Sequence, residues 1–79
     1  MRVLFFAQTK DAVGTSELKV KLLGHGGSDE VWQALIAVKP QLAAFRASTR
    51  LARNGEYADG QTTFCDTDEV ALIPPVSGG

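Results

Sequence analysis

Residues 69–73 read EVALI, and two prolines, Pro74 and Pro75, follow them directly. The apolar residues of this stretch fall on both faces of a predicted strand, which is typical of a strand in the middle of a sheet. Proline has no backbone N–H to donate, so Pro74 and Pro75 stop the strand from continuing in the sheet. The segment therefore predicts a central strand from which the chain leaves the sheet in an extended conformation.

Two further strands are predicted near the N-terminus. Residues 2–7 (RVLFFA) are also apolar on both faces, so this strand should neighbour the last one at the centre of the sheet. From residue 17, Leu18, Val20 and Leu22 alternate with charged residues, which predicts a half-buried strand with one wet face. Residues 8–14 are expected to turn the chain, so that the first two strands form a hairpin.

One main helix is predicted over residues 29–38. Ser28 is a suitable N-cap, and apolar residues follow at helical spacing. These are Val31, Trp32, Leu35, Ile36 and Val38. The helix ends before Pro40, because the residue that precedes a proline avoids helical dihedrals. Pro40 is expected to open a second short helical turn that carries Leu42 and Phe45.

The order of elements predicts an α+β fold. Weaker strand patterns at residues 49–53 and 56–58 flank Asn54-Gly55, a favoured tight-turn dipeptide. First and last strands separated by a helix can lie parallel through a crossover. This is the β-grasp arrangement, as in ubiquitin, with a mixed sheet and one main helix packed on one face. We expect one domain over residues 1–79, with residues 73–79 as a flexible, extended C-terminal tail.

The sheet face opposite the helix is expected to carry apolar side chains. By strand parity, Val3 and Phe5 point towards the helix, whereas Leu4, Phe6 and Ile73 point away from it. An exposed apolar patch on a small protein is typical of a protein-binding surface. We therefore predict that Leu4, Phe6 and Ile73 bind a protein partner.

Composition excludes several classes of protein. The 79 residues include eight basic and nine acidic ones, and this formal net charge of -1 argues against nucleic acid as the main partner. The longest apolar runs are too short to span a bilayer, and the N-terminus lacks the hydrophobic region of a signal peptide. The single cysteine, Cys65, excludes an internal disulfide and indicates a reducing compartment. We therefore expect a cytoplasmic protein with neither nucleic-acid nor membrane partners.

Residues for conventional catalysis are few. One histidine, His25, and one cysteine, Cys65, are too few for a metal site, so none is predicted. They could in principle form a nucleophile pair, but a semi-buried thiol and a loop histidine are the simpler interpretation. Residues 24–28 lack the lysine and spacing of a phosphate-binding loop. The carboxylates within residues 66–69 are interpreted as a solvated turn.

The tail is better suited to chemistry than the rest of the chain. Residues 74–79 read PPVSGG and carry no charged side chain. The prolines stiffen the exit from the sheet, and the glycines let a partner approach the backbone from every side. Six extended residues reach about 20 Å. Such a tail can carry a carboxylate on Gly79 into the active site of a partner.

Three stretches resemble the MoaD-type small subunits of molybdopterin synthase: VLFFA at 3–7, NGEYADG at 54–60 and DTDEVALIPPVSGG at 66–79. These proteins belong to the ubiquitin-like sulfur carriers, together with the thiamine carrier ThiS. The resemblance implies that Gly79 is the functional residue. A MoeB-type, E1-like enzyme would adenylate its carboxylate with ATP, and the adenylate would become a thiocarboxylate. The sulfur would then pass to cyclic pyranopterin monophosphate in a MoaE-type large subunit.

That transfer would form the dithiolene of molybdopterin within a heterotetramer of two small and two large subunits. The resemblance implies no permanently bound cofactor and no catalysis by the chain alone. It adds the tail to the predicted partner-binding residues, which then comprise Leu4, Phe6, Ile73, Pro74, Pro75, Val76, Ser77 and Gly78. Two alternatives stay open: a sulfur carrier for thiamine synthesis or another thiolation, and a ubiquitin-like modifier that is joined to lysines through Gly79.

Overall fold

A computed structural model describes residues 1–75. In chain order the elements are β1 (Arg2–Phe5), α1 (Ala7–Val13), β2 (Glu17–Lys19), β3 (His25–Gly26), α2 (Ser28–Val38), a 3₁₀ helix (Pro40–Ser48), β4 (Arg50–Arg53), β5 (Glu56–Tyr57), β6 (Phe64–Cys65) and β7 (Glu69–Ile73). Five strands form a mixed sheet in the order β2-β1-β7-β4-β5, and β3 pairs with β6 in a separate two-stranded ladder.

The centre of the sheet is the parallel pair of β1 and β7. Val3 lies opposite Val70, and Phe5 lies opposite Leu72. All four side chains are buried, and the neighbouring strands β2 and β4 pair antiparallel with this central pair. The predicted adjacency of the first and last strands is therefore confirmed, and so is the β-grasp arrangement.

Helix α2 covers one face of the sheet and completes the core. Val31, Trp32 and Leu35 are buried in the same cluster as the inward-facing side chains of β1 and β7. The helix begins at Ser28, so the predicted N-cap is wrong by one position. The N-cap is Gly27, whose backbone N–H donates to Glu30 Oε2 at 2.9 Å. A glutamate side chain at the third helical position therefore satisfies the donor at the start of the helix.

The segment predicted to turn between the first two strands is helix α1. The buried Thr9 hydroxyl donates to the Phe6 carbonyl at 2.7 Å, and the Phe6 N–H lies 3.2 Å from the same hydroxyl oxygen. At the other end, Gly14 has a left-handed φ of 81°, and its N–H donates to the Lys10 carbonyl at 2.9 Å. Seven residues are too few for apolar periodicity to stand out, and only Val13 adds an apolar side chain to the core.

The regions beside the predicted helix also differ from expectation. Strand β2 is shorter than its alternating pattern, although Val20 and Leu22 beyond it are buried as predicted. The glycine-rich segment before α2 is not only a loop, because its residues 25–26 form β3 and pair with β6. The partner strand lies far away in sequence, so local pattern could not reveal this ladder.

The second half of the chain follows its predicted outline. The 3₁₀ helix occupies the position of the second helical turn, with Leu42 fully buried and Phe45 packed against the core. Strands β4 and β5 are joined by Asn54 and Gly55, which have φ values of 50° and 88°. Positive φ at both central residues is what a two-residue hairpin turn of the primed type requires. The predicted tight turn is confirmed.

Asp66 ties the loop before β7 to two distant segments. Its Oδ1 accepts hydrogen bonds from the Leu22 N–H at 2.8 Å and from the amine of Met1 at 2.9 Å. These donors, the backbone N–H first, hold the pKa of Asp66 below its ordinary value. The acidic segment is an exposed turn, as predicted, but the Asp66 carboxylate is also a structural acceptor.

Asp68 has a similar role on the other side of the loop. Its Oδ2 accepts the Cys65 N–H at 2.9 Å, and its Oδ1 accepts from Asn54 Nδ2 at 3.0 Å. Asn54 Oδ1 in turn accepts the Glu69 N–H at 2.9 Å, which links the β4–β5 turn to the start of β7. The hydrogen bond from Cys65, followed by that from Asn54, lowers the pKa of Asp68.

We expect the free energy of unfolding to fall as the pH drops below about 4. Asp66 and Asp68 have lower pKa values in the folded protein, so the stability they contribute is present above their unfolded pKa. This contribution is lost as the pH falls through the folded pKa values. Asp68→Asn should lower stability at pH 7, because the amide replaces one of the two accepting oxygens with an NH2 donor. It should also flatten the decline in acid, because the amide does not titrate. Urea unfolding across pH measures both effects.

The matched control is Asp11→Asn. Asp11 is exposed on α1, and its side chain makes no hydrogen bond or ion pair within the described residues. Its substitution should leave the acid profile unchanged. Identical profiles for Asp68→Asn and the wild type would contradict the structural role of Asp68.

Candidate protein-binding face and tail

The sheet face that α2 leaves uncovered is largely apolar. The register of β1, β7, β4 and β5 places the following residues on this face: Leu4, Arg50, Ala52, Tyr57, Ala71 and Ile73. Leu4 and Ile73 are half-buried, and Phe6, directly after β1, is 45% exposed. The predicted face of Leu4 and Ile73 is confirmed by the strand register, whereas partner binding by these residues stays a prediction.

A groove of about 260 Å³ lies on this face. It is lined by Phe6, Ala52, Gly55, Tyr57, Ala71 and Ile73. Ala52 and Ala71 lie opposite each other on adjacent strands, and their small side chains leave room above the sheet. Phe6 follows β1 on one side, and Tyr57 stands on β5 on the other. The groove is thus a depression between two large aromatic side chains that are about half exposed.

Sequence analysis missed the part of this groove that β4 and β5 contribute. The signal was present, because a two-residue turn at Asn54-Gly55 puts Ala52 directly opposite Tyr57 and hence on the same face. Leu4, which was predicted with Phe6 and Ile73, lies on the face but does not line the groove. The groove is therefore displaced from β1 towards the β4–β5 hairpin.

The corner between β1 and α1 holds Phe6 at the groove. Ala7, the first residue of α1, has a φ of 50°, and this left-handed conformation costs a non-glycine residue about 1 kcal/mol. The Thr9 hydroxyl contacts both backbone groups of Phe6, and the Lys10 N–H also donates to the Phe6 carbonyl at 3.3 Å. These hydrogen bonds offset the strain at Ala7. They also fix the backbone of Phe6 at the end of β1, where its side chain lines the groove.

Charged residues occupy the opposite end of the same face. Arg2 Nε lies 3.1 Å from Glu17 Oε2, and Arg2 Nη1 lies 3.0 Å from Glu69 Oε2. The hydrogen bond from Arg2 holds the pKa of Glu17 below its ordinary value, and Glu17 raises the pKa of Arg2. Near the groove, the guanidinium carbon of Arg50 lies 4.0 Å from the centre of the Tyr57 ring. One end of the face therefore carries an ion-pair cluster, and the other end carries the apolar groove with Arg50 beside it.

The chain leaves the sheet at the edge of the groove. Ile73 is the last residue of β7, where it pairs with Arg50 and lines the groove. The predicted tail over residues 73–79 therefore begins one residue later, at Pro74, which is half-buried, whereas Pro75 is exposed. The other predicted tail residues, Val76, Ser77, Gly78 and Gly79, lie outside the described residues.

The two candidate nucleophile residues lie side by side. His25 on β3 is the direct partner of Cys65 on β6, and the Cys65 sulfur lies 3.1 Å from the Thr67 hydroxyl oxygen.

Within residues 1–75, no group of three or more His, Cys, Asp or Glu side chains is arranged to hold a metal ion. No helix in this part of the chain is long and apolar enough to cross a membrane.

The fold and the central strand that leads into the tail define a ubiquitin-like β-grasp protein. Residues 3–79 match the ThiS family, and the chain belongs to this family. It is 36% identical to the molybdopterin synthase sulfur carrier subunit of Aedes aegypti, over all of this chain and 88% of that protein. The corresponding subunit of Arabidopsis thaliana is 32% identical, over all of this chain and 82% of that protein.

A solved structure shows the same fold over the whole chain. SAMP1 from Haloferax volcanii superimposes with a TM-score of 0.85 at 29% sequence identity, over 100% of this chain and 98% of that protein. The similarity therefore includes both the sheet and the helix packed on it. The predicted family resemblance is confirmed by these comparisons.

The inner and outer positions of β7 can be tested by one pair of substitutions. Leu72→Asp places a carboxylate in the core and should cost about 3 kcal/mol or more of unfolding free energy. Ile73→Asp alters a half-buried residue on the outer face and should cost about 1 kcal/mol. Urea unfolding at pH 7 measures the difference. Equal losses for the two variants would contradict the assignment of faces.

Proposed function

We propose that the protein is the sulfur-carrier subunit of a molybdopterin synthase, in molybdenum cofactor biosynthesis. One observation carries the proposal: the central strand of the sheet passes directly into Pro74 and Pro75 beside an apolar groove. A partner that docks on the groove is thereby placed to receive the tail. The curated relatives support this function, since they are named sulfur carrier subunits of that synthase.

Gly79 is the reactive residue in this proposal. A carboxylate is a poor electrophile at neutral pH, so it first attacks the α-phosphorus of ATP and releases pyrophosphate. A sulfur nucleophile then displaces AMP from the acyl-adenylate and leaves a thiocarboxylate. The tail carries this sulfur to cyclic pyranopterin monophosphate, where it becomes part of the dithiolene. Tethering makes the step effectively intramolecular, so transfer does not depend on free sulfide.

Two partners use the same face in turn. A MoeB-type activating enzyme holds the ATP, and a MoaE-type large subunit supplies the catalytic groups for transfer, in an assembly of two small and two large subunits. Leu4, Phe6 and Ile73 contact both partners, and the tail from Pro74 to Gly78 enters their active sites. The protein then needs no permanently bound cofactor and catalyses nothing alone. All these steps take place in the cytoplasm.

A second function is favoured by the structural match. SAMP1 is a small archaeal modifier protein, and it shares the fold over nearly its whole length. If this chain is a modifier, Gly79 is joined to lysines of other proteins instead of receiving sulfur. Intact mass of the protein from cells separates the two functions: a thiocarboxylate supports the carrier, and lysine-linked ladders support the modifier. A sulfur carrier for thiamine or another thiolation would carry the same thiocarboxylate but would not bind the large subunit.

Gly79 can be tested by deleting it or by appending residues after it. Either change should abolish adenylation, because the reacting carboxylate is then absent or displaced. The core cluster of the described residues extends from Met1 to Leu72, and chain ends tolerate change, so the melting temperature should not change. ATP–pyrophosphate exchange with the activating enzyme measures adenylation. Normal exchange by the truncated chain would refute the assignment of Gly79.

Gly78→Ala tests whether the tail threads a narrow tunnel. The added methyl group should clash with the tunnel wall and slow sulfur transfer about a hundredfold, as small displacements at a reacting centre do. Dithiolene formation from a chemically thiocarboxylated protein isolates this step from adenylation. Ser77→Ala is the control, since its side chain lies further from the reacting group. Equal rates for Gly78→Ala and the wild type would mean that the tunnel is wide.

A further inference from the structure

We propose that Arg50, stacked on Tyr57, selects the large subunit by binding one of its carboxylates beside the apolar groove. The inference rests on the proposed function and adds the chemistry of the partner surface. The occupant of the groove is then an apolar side chain of the large subunit, and an aspartate or glutamate of that subunit lies next to it.

The groove offers an apolar site next to a cation. Its lining has the aromatic rings of Phe6 and Tyr57 as walls and small residues between them. Arg50 stands opposite Ile73, which lines the groove, and its guanidinium lies over the Tyr57 ring at 4.0 Å. An apolar side chain that enters the groove therefore brings its sequence neighbours to the guanidinium.

Stacking leaves the hydrogen-bonding edge of Arg50 available. A guanidinium that lies over an aromatic ring uses its flat face, whereas its N–H donors point outwards in the plane. The ring also restricts the side chain, so less conformational entropy is lost when Arg50 binds a carboxylate with two parallel hydrogen bonds. Arg50 is therefore preorganised for a planar acidic group.

Among the described residues, the charge of Arg50 is not offset by a neighbouring carboxylate on this face, unlike the charges at the far end. At the far end, Arg2 is paired with both Glu17 and Glu69, and Lys19 lies opposite Arg2. These four charges sum to zero. Within residues 1–75, no carboxylate lies within ion-pair distance of Arg50. The complementary surface therefore has an apolar centre and a negative charge at the rim near the tail.

The location of Arg50 also suits control of the tail. Its partner Ile73 directly precedes Pro74, so a carboxylate bound to Arg50 holds the partner next to the residue where the tail begins. Charged contacts at an interface suppress wrong partners and fix the register of docking. Arg50 is thus a specificity residue that lies next to the start of the tail.

The experiment measures binding of the full chain to its large subunit by isothermal titration calorimetry at low and high salt. Arg50→Gln should raise Kd about tenfold at low salt, as expected for the loss of one charge-assisted hydrogen-bonded pair, and less at high salt. The matched control is Arg53→Gln on the same strand. Arg53 donates to the Thr63 carbonyl at 2.6 Å and does not line the groove. The Arg53→Gln variant should therefore bind the large subunit with the Kd of the wild type.

Two further variants separate charge from stacking. Arg50→Lys keeps the charge but loses the planar fork, so its Kd should lie between those of the wild type and Arg50→Gln. Tyr57→Leu keeps the groove apolar and removes the ring. The double variant Arg50→Gln, Tyr57→Leu should lose less binding free energy than the two single variants lose together, because the ring acts partly through Arg50.

Ile73→Asp is the positive control for docking on this face and should raise Kd strongly. If it does so while Arg50→Gln binds as Arg53→Gln does, the inference is overturned and the proposed function stands. If the wild type does not bind the large subunit and carries no thiocarboxylate, the proposed function fails and the inference with it. A dimer of the free protein that Arg50→Gln dissociates would assign the groove to a second copy of this chain and would also overturn the inference.

Discussion

Parallel pairing of β1 with β7 is the constraint on which the rest of the structure depends. The two strands are distant in sequence, and their pairing buries Val3, Phe5, Val70 and Leu72 in the middle of the sheet. Parallel neighbours need a crossover connection, and α2 within that crossover supplies the buried side chains above the pair. The remaining elements attach to this centre: β2 extends it beyond β1, and β4 with β5 extends it beyond β7.

Within residues 1–75, α2 packs on one face of the sheet and leaves the opposite face largely uncovered. The open face is not uniformly apolar, because Arg2 and two glutamates neutralise one end of it. At the other end the alanines of β4 and β7 leave a groove between Phe6 and Tyr57, with Ile73 at its edge. Strand β7 thus contributes Val70 and Leu72 to the core and ends at Ile73, beside the groove. Core stability and presentation of the tail depend on the same five residues of β7.

Two acidic residues near β7, Asp66 and Asp68, have a structural role. Asp66 accepts the Leu22 N–H, and Asp68 accepts the Cys65 N–H, so these carboxylates link the loop before β7 to β6 and to the segment after β2. Their low pKa values have this structural cause, since each carboxylate is stabilised in its charged form by the donors around it. This structural role agrees with the proposed function, in which the chain supplies a reactive tail and the partners supply acid–base groups.

The sequence by itself determined the central strands, the main helix, the Asn54-Gly55 turn and the uncharged tail, because each depends on local pattern or on the chemistry of proline and glycine. It also determined which side chains of β1 and β7 face the core, since alternation along a strand is strict. Only the tertiary structure decided α1, the pairing of β3 with β6, and the partners of Asp66 and Asp68. These features depend on contacts between residues far apart in sequence or on single hydrogen bonds such as that of Thr9. The groove belongs to the same group, because it exists only where four strands lie side by side.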